Sequence, residues 1–413
     1  MVPSGWQEDV LINVLDKIID YRGQSVPKAE SGIPLITARN VRFGYLDFGT
    51  EEFIDESQFE RWSTRGTPKR GDILFTTEAP LGMACRFPEA GTYGVGQRTV
   101  SLRTNPKLSS EFLLYFLLSE RGQRLIDIRS SGSTAKGIKS SELKKVKILH
   151  PVCVDEQRKI AKILSTWDKA ISTTESLIDN SKQQKKALMQ QLLTGKKRLL
   201  DDSGKPFEGE WVWSNLDKVC DVKGGKRLPK GNSLTDIPNN HPYIRVADMY
   251  MGGIDTTNIL YVPLDIVSSI KNYTIAKDDL FITVAGTLGI VGEVPAILDG
   301  ANLTENADKL TNISCNKKFL LYVLKSPIIQ RYVDAESTQN AQPKLALTRI
   351  RSFKIPLPSS KEQQKIASVL TNADKEIELL EQQLADLKQE KKALMQQLLT
   401  GKRRVKVDDE AFA

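Results

Sequence analysis

The stretch Lys185-Lys186-Ala187-Leu188-Met189-Gln190-Gln191-Leu192-Leu193-Thr194-Gly195-Lys196 returns, letter for letter, at Lys391–Lys402. Each copy closes a longer helical pattern. One opens at Asp155-Glu156-Gln157-Arg158-Lys159-Ile160-Ala161, the other at Lys361-Glu362-Gln363-Gln364-Lys365-Ile366-Ala367. The two patterns superpose without a gap at an offset of 206, close to half of the 413 residues. Such long-period self-similarity marks a tandem duplication in which the helix was held and its surroundings diverged.

The first pattern steps by four and three through Ile160, Leu164, Trp167, Ile171, Thr174, Ile178, Ser181, Lys185, Leu188 and Leu192. The second fills the same steps with Ile366, Leu370, Ala373, Ile377, Leu380, Leu384, Leu387, Lys391, Leu394 and Leu398. This is a heptad seam, and each predicted helix is roughly 60 Å long at ~1.5 Å per residue. Gly195 and Gly401 stand where a helix C-cap is expected, with basic residues beside them. Lys185 and Lys391 interrupt both seams at the same step. Either they fix register at some cost in stability, or the seam ends there.

Outside the helices the chain reads as two globules. Residues 1–152 form the first, 153–198 the central helix, 199–358 the second globule with a linker at 199–211, 359–405 the distal helix and 406–413 a frayed tail. In the first globule Ile33–Thr37 and Gly71–Thr77 are strand candidates, and Glu111–Ile128 reads as helical with Phe112, Leu113, Phe116, Leu117, Leu125 and Ile128 on one side. Ser130–Gly137 is a loop by composition, and a last strand, Val146–Leu149, stops at His150-Pro151. The second globule repeats this layout faintly. Pro34-Leu35-Ile36 matches Pro242-Tyr243-Ile244, and Asp72–Thr76 with Leu81-Gly82 matches Asp279–Thr283 with Leu288-Gly289.

Composition restricts function. Hydrophobic residues make up 40% and charged residues 27%, as in a soluble globular protein. Cys85, Cys153, Cys220 and Cys315 are scattered, and His150 and His241 do not join them at metal-ligand spacing. A reduced, cytoplasmic protein without structural zinc is expected, and no apolar run approaches a membrane span. The net charge of +8 and a pI of about 9.1 favour a polyanionic partner. Neither half has the Asn/Asp-Pro-Pro-aromatic loop of an amino-methyltransferase. Gly286–Gly292 lacks the GxGxxG spacing, and Thr194-Gly195-Lys196-Lys197 lacks the rest of a P-loop. No catalytic residue, metal site or cofactor site is therefore assigned.

A lone heptad helix leaves its seam uncovered. Two copies in one chain can cover one another, and an antiparallel pair places the globules at opposite ends. In DNA recognition, a two-fold protein reads two half-sites about one turn, ~34 Å, apart. Because these globules differ, the half-sites should differ.

These residues carry a family resemblance over nearly the whole chain. Glu156-Gln157 with Lys159-Ile160-Ala161 and Leu164, the block Lys185–Lys196 and the second copy of both are similar to the conserved helical regions of the specificity (S) subunit of type I restriction–modification systems. Arg22-Gly23, Pro27-Lys28, Ile33–Val41, Gly71–Thr76 and Pro242-Tyr243-Ile244-Arg245 with Asp248 resemble the openings of that family's recognition domains. The resemblance implies an α+β chain: two mixed α/β target-recognition domains separated by two long antiparallel helices, which form an intramolecular coiled coil with pseudo-two-fold symmetry. It implies no catalysis in this chain, each domain reading one half of a bipartite, gapped double-stranded DNA target. It also implies helices that set the spacing and dock two methyltransferase (M) subunits, joined by restriction/motor (R) subunits. S-adenosylmethionine belongs to the former, ATP and Mg2+ to the latter. The loop Gly132–Gly137 departs from Ser337–Gln342, its counterpart in the second half.

Phosphates are neutralised by clustered Lys and Arg, and base edges are read by Arg, Lys, Asn or Gln on positioned loops. The candidates are Arg22, Gln24, Lys28, Arg39, Arg42, Gln97, Arg98, Lys136 and Lys139 in the first globule. In the second they are Lys226, Arg227, Lys230, Arg245, Gln339, Asn340, Gln342 and Lys344. Each is equally well read, singly, as a solvated surface charge or amide. Two other functions remain to be weighed: a coiled-coil scaffold with two protein-binding globules and no DNA role, and a self-sufficient restriction enzyme. A mobility shift separates the first, and methyl transfer by the isolated chain the second.

Overall fold

The computed structural model describes residues 2–133, 135–337 and 344–407. The central helix runs Val154–Leu192 and the distal helix Ser360–Leu398. The chain divides into two compact units that cut across both helices: residues 1–175 with 382–413, and residues 176–381. Each unit is a globule seated on one segment of each helix.

Acidic residues open both helices, Asp155 and Glu156 in one and Glu362 in the other, where the helix dipole favours them. The seam positions named above are the buried or half-buried ones along each helix, while most of the residues between them are exposed. Leu192, Leu193, Leu398 and Leu399 end the helices inside globular cores. Leu398 and Leu399 pack with Ile160, Ala161, Leu164 and the first globule, and Leu192 and Leu193 with Ile366, Ala367, Leu370 and the second. Within each unit the helix segments run antiparallel. Lys391 meets Asp168 while Lys388 meets Glu175, and Lys185 meets Asp374 while Lys182 meets Glu381.

Gly195 and Gly401 turn the chain out of the helix at φ +70° and +68°, a region that favours glycine. A Cβ on Gly401 would lie 2.8 Å from Pro3 Cγ and about 3.0 Å from the Trp6 ring, whereas on Gly195 its nearest neighbour is Trp211 at 3.5 Å. Both Gly→Ala changes carry the left-handed penalty of about 1–2 kcal/mol. Gly401→Ala adds the overlap, so its melting temperature is expected to fall further than that of Gly195→Ala in differential scanning fluorimetry.

The two globules share a terminal strand pair, one four-stranded sheet and three adjacent strands of a second, whose fourth strand differs. In the first, Trp6–Val10 pairs antiparallel with Lys147–Pro151. A four-stranded sheet follows in the order Leu15–Asp20, Thr99–Thr104, Ile73–Thr76, Ala84–Arg86, and a second in the order Lys28–Ala29, Phe53–Ile54, Ile33–Ile36, Gly94–Val95. The second globule repeats the terminal pair as Val212–Asn215 with Lys354–Leu357. Its first sheet runs Asp221–Gly224, Ala307–Thr311, Leu280–Thr283, Val291–Glu293, and its other Leu260–Tyr261, Pro242–Ile244, Ala301–Leu303, Thr274–Ile275. Each globule contains one parallel pair at the same place, Leu35 opposite Gly94 and Tyr243 opposite Asn302.

Three local expectations change. The helix expected over Glu111–Ile128 is two helices, Ser110–Leu118 and Glu120–Ile128. Ser119 is extended between them, its hydroxyl donating to the Phe116 carbonyl (2.6 Å) and accepting from the Gly122 amide (3.0 Å). This break turns Ile128 outward to 68% exposure. Ser326-Pro327 breaks the second globule's helices, Lys317–Lys325 and Pro327–Ser337, at the matching place. The last strand of the first globule continues through His150 and Pro151, and the buried His150 ring lies 3.1 Å from Asp9 Oδ2. Residues 199–211 fold into a closed turn. The Phe207 amide donates to the Leu199 carbonyl (3.0 Å), and Arg198 Nη1 and Nη2 donate to the carbonyls of Gly209 (3.0 Å) and Glu208 (3.3 Å).

Among the described residues no helix is long and apolar enough to cross a membrane, and no group of His, Cys, Asp or Glu could hold a metal ion.

Candidate nucleic-acid interface

Four of the first globule's nine candidates line one cleft of about 350 Å³. Lys28, Arg39, Gln97 and Arg98 line it together with Thr37 and Glu52. Leu35, from the parallel pair of strands, and Gly96, which follows that pair's second strand, line it as well. The turn Thr37–Asn40 is fixed by Asn40, 2% exposed, whose Oδ1 accepts from the Thr37 amide and hydroxyl, both at 2.9 Å. That turn holds Arg39 out, exposed and without an ion pair among the described residues. Gln97 Nε2 donates to the Gln24 carbonyl, which joins the Gln24 segment to the cleft. Lys28 pairs with Glu52 at 2.5 Å and Arg98 with Glu78 at 3.1 Å.

Lys136 and Lys139 extend this face. Their loop closes on itself through Ser131 and Gly137, which exchange backbone hydrogen bonds at 2.9 Å, and Gly137 bridges Glu78. Lys136 pairs with Asp127, while Lys139 is exposed with no ion pair among the described residues.

Arg22 and Arg42 stand differently from the expectation. Arg22 is half-buried, bound to Asp20 at 2.6 Å and donating to the Ile138 carbonyl at 2.9 Å, so it ties the basic loop to the sheet. Burial alone would raise the Asp20 carboxyl, but hydrogen bonds from the Arg22 side chain and amide hold it below its ordinary value. Arg42 pairs with Asp47 at 3.2 Å in a hairpin whose Phe43, Gly44 and Tyr45 line a separate cavity with the helix segments of the same unit. It is not brought to the cleft.

In the second globule Asp248 takes the place of Asn40, its Oδ2 accepting from the Arg245 amide at 2.8 Å and from Arg245 Nε at 3.0 Å. Arg245 also donates to the Asn258 carbonyl at 3.0 Å, so much of its guanidinium is committed to the fold. Lys226 is exposed, its ammonium 5.5 Å from the Tyr273 ring centroid, and Arg227 pairs with Glu305 at 2.5 Å. Lys230 and Lys344 are exposed without an ion pair among the described residues. Near Lys344 and Arg351, burial pushes the Asp308 carboxyl up to about 6 against the pull of those two cations. Gln339, Asn340 and Gln342 lie outside the described residues.

Sequence reasoning passed over the groups that hold the globules on the helices. Glu156 accepts from Arg404 Nε and Nη2 at 2.6 and 2.7 Å, and Glu362 from Arg198 Nε and Nη2 at 2.6 and 2.8 Å. Gln157 Oε1 accepts from the Ser109 amide at 2.7 Å, and Gln363 Oε1 from the Asn316 amide at 2.9 Å. Each contact recurs in the other unit, so the duplication itself was the signal that could have found it.

A family model described as the type I restriction modification DNA specificity domain matches residues 34–181 and again residues 208–389. A Methanocaldococcus jannaschii protein, provisionally assigned as the type I restriction enzyme MjaX specificity subunit, is 27% identical over 98% of this chain and 95% of its own. The MjaVIII specificity subunit of the same organism is 26% identical over 74% of this chain and 73% of that one. The fold is similar to the crystal structure of the S subunit of a type I restriction–modification system from M. genitalium, with a TM-score of 0.59 and 18% identity over 96% of both chains.

Proposed function

Because the chain belongs to the type I restriction–modification DNA specificity family, we propose that it is the non-catalytic, target-reading subunit of a cytoplasmic type I complex. Each globule reads one half of a bipartite, gapped duplex target, and the helices set the spacing between the halves. Two methyltransferase subunits, which hold S-adenosylmethionine, dock on the repeated helical surface, and restriction subunits using ATP and Mg2+ join that core.

One observation carries this reading. The helix block and its contacts are held constant between the two units, while the basic, exposed loops differ in residue and length. Constant docking surfaces suit two copies of one partner, and divergent loops suit two unlike half-sites. The first cleft joins the cations Lys28, Arg39 and Arg98 to the side-chain amide of Gln97, the mixture that phosphate contact and base-edge contact require.

Mapping methylated adenines in a genome that carries this chain with its methyltransferase partner tests the proposal. The expected result is one motif of two unlike halves at a fixed spacing. A continuous motif, or methylation that persists unchanged when this chain is deleted, would overturn it.

A further inference from the structure

The same three side chains meet in both units. In the first, Asp168 of the central helix accepts from Tyr115 Oη at 2.7 Å on one oxygen and from Lys391 Nζ at 2.5 Å on the other. In the second, Asp374 of the distal helix accepts from Tyr322 Oη at 2.7 Å and, on its other oxygen, from Lys185 Nζ. The lysine ammonium also stands 5.8 Å from the Tyr115 ring centroid in one unit and 5.9 Å from that of Tyr322 in the other. These lysines are the residues that interrupt the two seams.

The geometry separates this cluster from ordinary surface pairing. The lysine side chains are 19% and 16% exposed, whereas the neighbouring pairs Lys388–Glu175 and Lys182–Glu381 are about half exposed on both sides. A slip of one heptad moves a seam residue by about 10 Å along the helix. A slip one way would bring each lysine to an alanine, Ala161 or Ala367, and the other way to the exposed Glu175 or Glu381, away from the tyrosine; either way the half-buried aspartate would lose its cation. A polar residue at one seam position can select register in this way. Asp374 shows the balance: burial would raise its carboxyl, but Lys185 and then Tyr322 hold it below its ordinary value. The tyrosines add a second constraint. They stand on globular helices, Ser110–Leu118 and Lys317–Lys325, so one carboxylate fixes both the helix register and the seat of the globule on it.

We propose that Tyr115–Asp168–Lys391 and Tyr322–Asp374–Lys185 are positioning clamps that tie each recognition globule to one register of the helices and so set the accepted spacer length. This rests on the function proposed above.

The test uses the full chain assembled with its methyltransferase subunits. Methylation rates are measured on duplexes carrying the mapped half-sites with the natural spacer and with one base pair more or fewer. The variants are Tyr115→Phe with Tyr322→Phe, Asp168→Lys alone, and Asp168→Lys with Lys391→Asp. The preference of the wild type for the natural spacer is expected to fall about tenfold in the double Tyr→Phe chain, the weight of a charge-assisted hydrogen bond or more. It should fall further in Asp168→Lys and return in part when the charges are exchanged. Should Asp168→Lys not fold, the Tyr→Phe chain, which keeps both ion pairs, decides alone. A variant preference equal to that of the wild type, or an equal loss of rate at all spacers, overturns the clamp. A wild-type complex indifferent to spacer length overturns the ruler on which it rests.

Discussion

Arg198→Ala is expected to lower the unfolding free energy of the second unit by about 3–5 kcal/mol, the usual cost of removing one partner from a buried ion pair. The Glu362 side chain is only 1% exposed and receives two nitrogens from Arg198. Without them its charge keeps, among the described residues, one donor, the Trp211 indole at 3.2 Å. Arg198 also holds the carbonyls of Glu208 and Gly209, so the turn that leads into the second globule loosens with it. Urea denaturation followed by circular dichroism measures the loss. Replacing both partners, Arg198→Met with Glu362→Leu, should recover most of it, because no buried charge is then left alone. If the double variant is as unstable as the single one, the ion pair itself was not the source. Arg404→Ala removes the matching partner of Glu156, but the Arg404 side chain is 46% exposed against 24% for Arg198, so a smaller loss is expected.

These pairs show what the sequence could and could not disclose. The letter-for-letter repeat, the heptad steps and the glycine ends are periodic signals, and periodicity survives without knowledge of tertiary contacts. The helices accordingly lie close to where the spacing put them. The matched strand pairs were legible because the halves kept Pro34-Leu35-Ile36 and Pro242-Tyr243-Ile244 in register. Glu156, Gln157 and Arg198 were visible as conserved letters of the repeat, but their partners lie far along the chain, and no local pattern shows such pairing. Tyr115 and Tyr322 sit in Phe-Leu-Leu-Tyr, repeated at 112–115 and 319–322, a signal that was present and unused. Ser119 misled for a different reason. The apolar spacing runs on through it, while its hydroxyl satisfies the ends of two helices, a choice made by capping rather than by periodicity. The DNA candidates were the least legible, since residue type alone does not separate a cation such as Arg39, without an ion pair among the described residues, from one spent on the fold such as Arg22.

That distinction changes what the basic segment of the second globule should do. Neutralising Lys226, Arg227 and Lys230 together removes three formal charges, but Arg227 already faces Glu305 at 2.5 Å. Each phosphate neutralised contributes about 0.9 to the slope of log K against log salt. The triple variant is therefore expected to flatten that slope by about 2 rather than 3, and its affinity should fall about tenfold less than that of the wild type between 50 and 200 mM salt. Fluorescence anisotropy on the mapped target across a salt series reads both quantities. Arg227→Ala alone should barely alter the slope, whereas Glu305→Gln frees the guanidinium and should steepen it by about 0.9. If the triple variant binds with unchanged affinity and slope, this segment does not face phosphate. If Arg227→Ala alone accounts for the whole change, Glu305 yields its partner to the backbone when DNA binds, and the pair is a latent contact rather than a neutralised one.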